Sequence, residues 1–543
     1  MAFTIPYKLT LLMLLSSGRF ANSFLTLRKT SSSPSTLLLR SKHGNIARQG
    51  MTTLLSSTKE DATADIKIPR KFKPFPFQYH EELTLTVDSL TNRGIGVCRA
   101  NIPESAIPVD DDQRESYLED SKGWVVMVPN TIPGEVVKVK VFRNFGTYSE
   151  ADLLEIVEES PDRVKPICPL FEECGGCQYQ HMNIGLQRDW KTSQVQELLE
   201  RVGKLDPDTF PKTSGTVGTD EVYNYRSKIT PHYDKPIKAD IGDVQIRAIG
   251  FKKKTNRNLI DVPYCHIATE AINEKLTQYR EEKYKEGLEG KLRRPKKGAT
   301  LLLRDALKYE VGDLVTEEQV VETDNNVYVK TKVKDLTFRF LAGNFFQNNP
   351  FMLPIMVDYV TEAAIQPNAS GEKMTHLIDC YCGSGLFCLT ASKDFEVCVG
   401  IELNSKAVEE AQENAKINSI SNCKFVAASA EAIFMSKDPV EVITKSDSGE
   451  EVLSSVLVKD FPKKNTVVVI DPPRKGCSEE FLEQLYSFGP ERCVYMSCDP
   501  ATQARDAEGI VAAGYKITNV QPFDLFPQTR HIESLVIFER INS

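Results

Sequence analysis

The sequence HLIDCYCGSGLFCLTASKDFEVCVGIE, residues 376–402, decides the fold. An apolar run enters a glycine-rich turn, a helical stretch follows, and a second apolar run ends at Glu402. This order of strand, turn, helix and strand is typical of a nucleotide-binding βαβ unit. Gly383 and Gly385 allow a ligand to approach the backbone closely, and an acid about 20 residues after the turn can accept both ribose hydroxyls. The stretch therefore predicts an α/β domain with a Rossmann-like sheet.

The start of the predicted helix discriminates between cofactors. A pyrophosphate cofactor such as NAD usually requires a third glycine at this point, where the chain has Leu386 and Phe387. S-adenosylmethionine carries no phosphate, so it fits the turn better than NAD does.

Three more strand-like runs in the C-terminal third end in polar residues. The first run leads into Asp471, the second into Cys498 and the third into Asp524. Ligands of open α/β sheets bind at the carboxyl ends of the strands. We therefore expect Asp471 and Cys498 to share one crevice with Glu402.

A cysteine cluster lies well before this domain, at Cys168, Cys174 and Cys177, with two glycines between the last two cysteines. The glycines allow the backbone to wrap around a bound group, so the cluster indicates metal binding. A disulfide is the competing interpretation, but 13 cysteines spread over 543 residues are not a disulfide-scaffold density. An iron-sulfur cluster commonly takes four cysteine ligands, and Cys265 is the candidate for the fourth. Zinc held with Cys265 or His181 is the alternative, because spacing alone does not choose the metal.

The composition is that of a globular chain of several domains, with 41% hydrophobic and 26% charged residues. Residues 78–157 alternate apolar and polar positions between glycine and proline turns, which predicts a small β-barrel. Residues 158–334 are predicted to form a mixed α+β region with the cysteine cluster. No apolar run approaches the roughly 20 residues that span a bilayer, so we expect no membrane segment. The net charge is −8, so RNA contacts would depend on local basic patches.

The N-terminal 60 residues are typical of a targeting presequence. A short apolar stretch follows Lys8, small residues precede Phe24, and Ser- and Thr-rich sequence comes next. Residues 1–60 are therefore predicted to be a disordered import segment for an organelle, with the plastid favoured over the mitochondrion and a cytosolic protein as the alternative.

The motifs together resemble the TRAM-domain-containing RNA uridine-5 methyltransferases of tRNA and ribosomal RNA. The resemblance covers about residues 78–543. It rests on six separated motifs: Cys174-Gly175-Gly176-Cys177, Phe345-Phe346-Gln347-Asn348-Asn349, Asp379-Cys380-Tyr381-Cys382-Gly383-Ser384-Gly385, Asp471-Pro472-Pro473-Arg474-Lys475-Gly476, Ser497-Cys498-Asp499-Pro500 and Phe526-Pro527-Gln528-Thr529-Arg530-His531-Ile532-Glu533.

The resemblance implies an OB-like TRAM barrel, the central region acting as an RNA-binding region, and a Rossmann-like class I methyltransferase domain at residues 335–543. It implies that Cys498 adds to carbon 6 of uracil and that Glu533 removes the proton from carbon 5. The implied partner is tRNA or ribosomal RNA, and the implied chain is a monomer carrying a 4Fe-4S cluster. The residues implied to hold S-adenosylmethionine are Gln347, Tyr381, Glu402 and Asp471.

Two positions depart from the family pattern. Asp499 stands where Asn commonly follows the nucleophile, and the added negative charge is expected to raise the pKa of Cys498. Leu386 replaces a polar residue near the methionine part of the cofactor.

Two other functions are compatible with the sequence. A non-catalytic RNA-binding protein would not depend on Cys498. An amino methyltransferase would require an aromatic residue after Asp-Pro-Pro, where this chain has Arg474.

Overall fold

The computed structural model describes residues 68–107, 123–254, 256, 258–293, 295–312, 315–430, 440–445, 451–456 and 458–541. The predicted presequence lies outside these residues. The chain divides into two units, Met1–Pro74 and Phe75–Ser543, and the helices and strands below belong to the second.

Five strands form a closed barrel, in the order β1-β2-β3-β5-β4. Alternate residues of β4 point inward, so that Val137, Val139 and Val141 are buried in the barrel core. This is the half-buried alternation expected of a barrel wall, and the predicted β-barrel is present. The strands are β1 (Glu82–Leu90), β2 (Ile95–Ala100), β3 (Trp124–Pro129), β4 (Val136–Asn144) and β5 (Tyr148–Glu158).

The region that follows is a mixture of helices and short antiparallel strands. It contains helices α1 (Ile184–Arg201) and α2 (Glu270–Leu288). Side chains cap both helices at the N-terminus, because Asn183 accepts from the backbone of Leu186 and Thr269 accepts from that of Ile272. The strands are β6 (Lys228–Ile229), β7 (His232–Tyr233), β8 (Ile237–Lys238), β9 (Val244–Gln245), β10 (Gly250–Lys252), β11 (Leu259–Asp261), β12 (Ala299–Thr300), β13 (Leu303–Lys308), β14 (Gln319–Glu322), β15 (Tyr328–Val333) and β16 (Leu336–Leu341).

A seven-stranded sheet organises the C-terminal part, in the order β19-β18-β17-β22-β23-β25-β24. The pairings from β19 to β23 are parallel, whereas β25 is antiparallel to both of its neighbours. The order in which strands are added to the sheet reverses between β17 and β22, since β18 and β19 lie on one side of β17 and the later strands lie on the other. The Rossmann-like prediction requires this reversal. The strands are β17 (His376–Cys380), β18 (Val397–Glu402), β19 (Cys423–Ala427), β22 (Thr466–Ile470), β23 (Arg492–Ser497), β24 (Tyr515–Phe523) and β25 (Glu533–Arg540).

Helices cover both faces of this sheet. Leu377 packs on one face and Ile378 on the other, because successive side chains of a strand alternate. Helix α1 packs through Val195 and Leu198 onto the second face, although it precedes the sheet by almost two hundred residues. The sheet's own helices are α3 (Met352–Ile365), α4 (Leu386–Ala391), α5 (Ser405–Ile417), α6 (Glu479–Phe488) and α7 (Pro500–Ala512).

Residues 436–464 lie between β19 and β22 in the chain. Within them, β20 (Val440–Lys445) and β21 (Glu451–Val456) pair as an antiparallel hairpin outside the main sheet. In the part of the chain that the structure describes, no helix has the length and apolar character needed to cross a membrane.

A buried ion pair joins the barrel to the segment that follows it. Arg163 donates from Nε to Glu135 Oε1 at 2.5 Å and from Nη2 to Oε2 at 2.8 Å. The Glu135 side chain is fully buried, and its Oε2 also accepts from the Ile132 backbone at 2.8 Å. Removing one partner of such a pair leaves an uncompensated buried charge.

We therefore expect Arg163→Met to lower the free energy of unfolding by about 3 kcal/mol in denaturant titrations. The control is Lys138→Met, which breaks an exposed barrel pair with Glu82 and is expected to change stability by less than about 1 kcal/mol. Equal effects of the two substitutions would contradict the assignment.

Candidate functional site

Five adjacent strands bring five of the predicted residues to one edge of the sheet. Glu402 ends β18, Tyr381 follows β17, Asp471 follows β22 and Cys498 follows β23. Glu533 begins the antiparallel β25, and the pairing of Ser497 with Ser534 places it at the same edge. The structure therefore brings these residues to one edge of the sheet, at the point where the strand order switches.

The glycine-rich turn and Glu402 lie together at this edge. Gly383 donates its backbone N–H to Glu402 Oε2 at 3.2 Å, and Asn404 donates to Oε1 at 2.9 Å. Tyr381 has a φ of +67°, uncommon for a residue with a side chain, which indicates a constrained turn. The turn and the carboxylate that were predicted to hold a ribose are thus fixed to each other.

Two carboxyl groups near this edge, Asp379 and Asp471, are desolvated. Asp379 is fully buried, Cys388 donates its backbone N–H to Oδ2 at 3.0 Å, and Oδ1 has no hydrogen-bond partner. Burial raises its pKa well above the ordinary value, and the nearby Asp471 charge raises it further. Burial likewise raises the pKa of Asp471 to about 7. Such shifts are common where a site is prepared for a ligand.

Hydrogen bonds and a stacked aromatic pair hold the segment that contains Gln347 in place. The buried Arg304 donates from Nη1 to Asn348 Oδ1 at 3.0 Å and from Nη2 to the Asn344 carbonyl at 2.9 Å. Phe346 is buried, and its ring stacks on Phe340 at 4.5 Å between centroids. The side chain of Phe345 is 75% exposed, so this aromatic surface is free to contact a ligand.

Cys498 and Glu533 lie in a desolvated, acidic environment. Burial raises the pKa of the Cys498 thiol to about 12, and the charges of Glu533 and Asp471 contribute, whereas Arg474 opposes the rise. Burial also raises the pKa of Glu533 well above its ordinary range, with Asp471 raising and Arg474 lowering it. Arg474 is therefore the cation that favours the thiolate at this edge.

The expected effect of Asp499 is not found. Its side chain accepts from the Ala501 backbone at 3.2 Å and caps helix α7. The acidic groups that raise the Cys498 pKa are Glu533 and Asp471 instead. The capping bond directs the Asp499 carboxylate to the helix N-terminus, where its charge is stabilised.

Arg474 and His531 are site residues that the sequence analysis did not assign. Arg474 Nη2 lies 3.4 Å from His531 Nδ1. Burial and the neighbouring charges of Arg474 and Arg530 lower the pKa of His531 to about 3, so its ring is neutral. The signal for Arg474 was its place after β22, since β22 neighbours the strand that carries Cys498.

The four predicted cysteine ligands line one cavity of about 310 Å³, although Cys265 is far from the others in sequence. Burial raises the pKa of Cys177 to about 12 and that of Cys265 to about 11, and the cysteines raise one another's values. The pKa of the nearby Lys254 is lowered to about 8 by burial, and the cysteines oppose that shift. His531 lines the same cavity and contacts Arg474, so the cysteine cavity borders the edge of the sheet that carries Cys498.

The sulfur positions bear on the choice of metal. Tetrahedral zinc with Zn–S bonds of about 2.3 Å requires sulfurs about 3.8 Å apart. Among the described residues, the cysteines whose sulfurs all lie within 4.8 Å of one another are Cys388, Cys398 and Cys423, in the core of the sheet domain. His181, the alternative ligand, is not part of the cavity lining, and its Nε2 lies 3.3 Å from the Thr131 carbonyl oxygen.

The family profile and the relatives that match this chain carry closely similar descriptions. A family profile described as tRNA (uracil-5-)-methyltransferase matches residues 296–541. The chain is 36% identical over 478 residues to a tRNA (uracil(54)-C(5))-methyltransferase of Schizosaccharomyces pombe, covering 86% of this chain and 80% of the relative. It is 32% identical to the Saccharomyces cerevisiae protein of the same description, covering 86% of this chain and 75% of that one.

A solved structure shows the same fold. The Pyrococcus abyssi tRNA (uracil-54, C5)-methyltransferase, determined in complex with S-adenosyl-L-homocysteine, aligns with a TM-score of 0.54 at 19% identity. The alignment covers 84% of this chain and all of the other.

The raised pKa of Cys498 predicts a steep pH dependence of its reactivity. Only the thiolate reacts with iodoacetamide, so with a pKa of about 12 the alkylation rate of Cys498 should rise about tenfold per pH unit between pH 7 and 10. Arg474→Met removes the opposing cation and should slow alkylation further, whereas Lys475→Met, at the exposed neighbouring position, should not. Peptide mass spectrometry measures the rates, and a plateau below pH 9 would contradict the assignment.

Proposed function

The chain belongs to the tRNA (uracil-5-)-methyltransferase family, and we propose that it methylates carbon 5 of a uridine in tRNA through covalent addition of Cys498 to the base. It is an S-adenosylmethionine-dependent RNA (uracil-5-)-methyltransferase. The observation that carries the proposed mechanism is the juxtaposition of Cys498 and Glu533 on neighbouring strands at one edge of the sheet.

The reaction needs a nucleophile because carbon 5 of uracil is too electron-poor to take a methyl group unaided. The Cys498 thiolate forms a bond to carbon 6, and the electron pair of the C5–C6 double bond becomes available at carbon 5. S-adenosylmethionine supplies an electrophilic methyl group, which carbon 5 takes while the sulfonium becomes a thioether. Glu533 then accepts the proton of carbon 5, the double bond re-forms and the Cys498 sulfur leaves.

The residues at the edge suit these steps. Arg474 favours the thiolate form of Cys498, and burial makes the Glu533 carboxylate a stronger base than an exposed one. Gln347, Tyr381, Glu402 and Asp471 hold the methyl donor in this proposal. The fixed turn and the carboxylate of Glu402 support that assignment, because a carboxylate at the end of β18 can accept ribose hydroxyls.

The proposed substrate is the uridine at position 54 of tRNA, as the descriptions of the two yeast relatives state for those proteins. The uridine must leave its stack to reach Cys498. Phe345 supports this step, because its exposed ring offers a stacking surface for a displaced base.

The reaction is tested with an unmodified tRNA transcript, S-adenosylmethionine and nucleoside mass spectrometry. The intact protein should form 5-methyluridine, Cys498→Ala should form none, and Glu533→Gln should form it at least about 100-fold more slowly. Glu533→Gln should also retain RNA as a covalent complex on denaturing gels, because proton removal precedes release.

A transcript with cytidine at position 54 is the substrate control and should remain unmethylated. A methylated adenosine, or activity that survives Cys498→Ala, would overturn the mechanism. Methylation of ribosomal RNA but not tRNA would overturn the substrate assignment.

We further propose that Cys168, Cys174, Cys177 and Cys265 hold a 4Fe-4S cluster. The donor set supports this, since four cysteine thiolates are the usual ligands of such clusters. The sulfurs do not form a group within 4.8 Å, which suits a cluster better than a single tetrahedral ion. The cavity of about 310 Å³ also exceeds the space that one ion needs.

Anaerobic purification followed by iron and sulfide analysis tests the cluster. We expect about four irons and four sulfides per chain, falling sharply in Cys265→Ser. Cys423→Ser is the control, because its sulfur lies in the other cysteine group, and it should retain iron. Stoichiometric zinc without iron would contradict the proposal.

A further inference from the structure

We propose that Gln187 and Lys191 of helix α1 are positioning residues for the proton-removal step, because they hold the loop of residues 524–532 that ends at Glu533. This inference rests on the proposed function. The loop, called the catalytic loop below, connects β24 to β25.

Gln187 forms a reciprocal pair with Gln528 in this loop. Gln187 Nε2 donates to Gln528 Oε1 at 3.0 Å, and the Gln528 backbone N–H donates to Gln187 Oε1 at 2.9 Å. The Gln187 amide group also donates to the carbonyls of Tyr179 and Met182. Gln187 is fully buried, so each of these bonds is shielded from water.

Gln528 itself has an uncommon backbone conformation, with a φ of +68°. A non-glycine residue keeps such a conformation only when its surroundings over-determine it. The surroundings here are the Gln187 pair and the backbone N–H groups of Gln178 and Tyr179, which both donate to the Gln528 carbonyl at 3.0 Å. The strained residue lies shortly before Glu533.

Lys191 fixes the start of the loop. Its Nζ lies 2.5 Å from Asp524 Oδ1, and both side chains are fully buried. Burial lowers the pKa of Lys191, and the Asp524 charge opposes the shift. Buried ion pairs often add little net stability, and their best-attested use is to fix a register. Here the pair fixes helix α1 against the end of β24.

The loop backbone is held at four successive carbonyl groups. Each accepts a hydrogen bond from a residue outside the loop: Leu525 O from Asn349 Nδ2 at 2.9 Å, Phe526 O from Lys191 Nζ at 3.3 Å, Pro527 O from the Tyr225 hydroxyl at 2.9 Å and Gln528 O from the two backbone groups named above. Because its backbone is held at four successive carbonyl groups, the catalytic loop has little freedom to move Glu533, which follows it.

The restraint on the catalytic loop matters more for proton removal by Glu533 than for addition of Cys498 to the base. Cys498 follows β23 and does not belong to the loop, so its position depends less on the loop than the position of Glu533 does. Glu533 must reach the carbon 5 proton, and a misplacement of about 1 Å can slow a step about 100-fold. Loosening the loop should therefore slow proton removal more than addition of the nucleophile.

The closing experiment compares Gln187→Leu with Gln196→Leu, which is on the same helix but bonds to Thr213 rather than to the loop. With tRNA and S-adenosylmethionine, Gln187→Leu should release 5-methyluridine about 10- to 100-fold more slowly and retain RNA as a covalent complex. Gln196→Leu should behave like the unaltered protein. Covalent complex and product that fall together, or stay unchanged, would overturn the inference.

Two other variants test the same inference in case Gln187→Leu does not fold. Gln528→Gly tolerates the positive φ and removes only the side-chain acceptor, while Lys191→Met combined with Arg188→Met and Asp524→Asn leaves no unpaired charge among the three positions. Both should retain S-adenosylmethionine binding and show the same accumulation of covalent complex. If binding is intact and no complex accumulates, the inference is wrong.

A measurement without RNA separates this inference from the proposed reaction. Amide hydrogen exchange of residues 524–532 should be faster in Gln187→Leu than in the unaltered protein, and unchanged in Gln196→Leu. Faster exchange in a protein that makes no 5-methyluridine would contradict the proposed function but not the restraint. Unchanged exchange would contradict the restraint itself.

Discussion

The parallel pairing of strand β17 with both β18 and β22 is the constraint on which the site depends. Parallel strands present their carboxyl ends at one edge, so residues from distant parts of the sequence meet there without any direct attraction. Most buried positions of the sheet are apolar, and polar residues of the site follow the ends of the strands. Even Glu533, on an antiparallel strand, reaches this edge because it begins its strand.

That constraint explains what could be predicted from the sequence. Glu402, Asp471 and Cys498 each follow an apolar run, so their convergence followed from periodicity and from the strand rule alone. Glu533 and Gln347 had no such signal and were assigned through the family resemblance. Three of the cysteines form a cluster that is visible in the sequence, and Cys265 was named as the fourth candidate, although its meeting with them depends on how the central strands fold.

The rest could not be predicted because it depends on tertiary packing. Helix α1 has an ordinary polar and apolar pattern, and nothing in it indicates that Gln187 meets Gln528, more than three hundred residues later. Arg474 was noted only as a residue that replaces an aromatic, and its effect on the Cys498 pKa emerges from adjacency in the sheet. The charge of Asp499 was misjudged, since a capping bond decides where a side chain points.

The partners of the catalytic loop also bear on how modular this enzyme is. Gln178, Tyr179, Gln187, Lys191 and Tyr225 all precede residue 296, where the match to the family profile begins. In the proposed mechanism the sheet domain therefore contains the nucleophile and the general base, whereas most of the hydrogen-bond partners of the catalytic loop lie before it. Evolution could not exchange the preceding region freely, as it can exchange an appended binding module, because part of the active-site architecture belongs to that region. A gene fusion that replaced it would have to supply the missing hydrogen-bond donors anew.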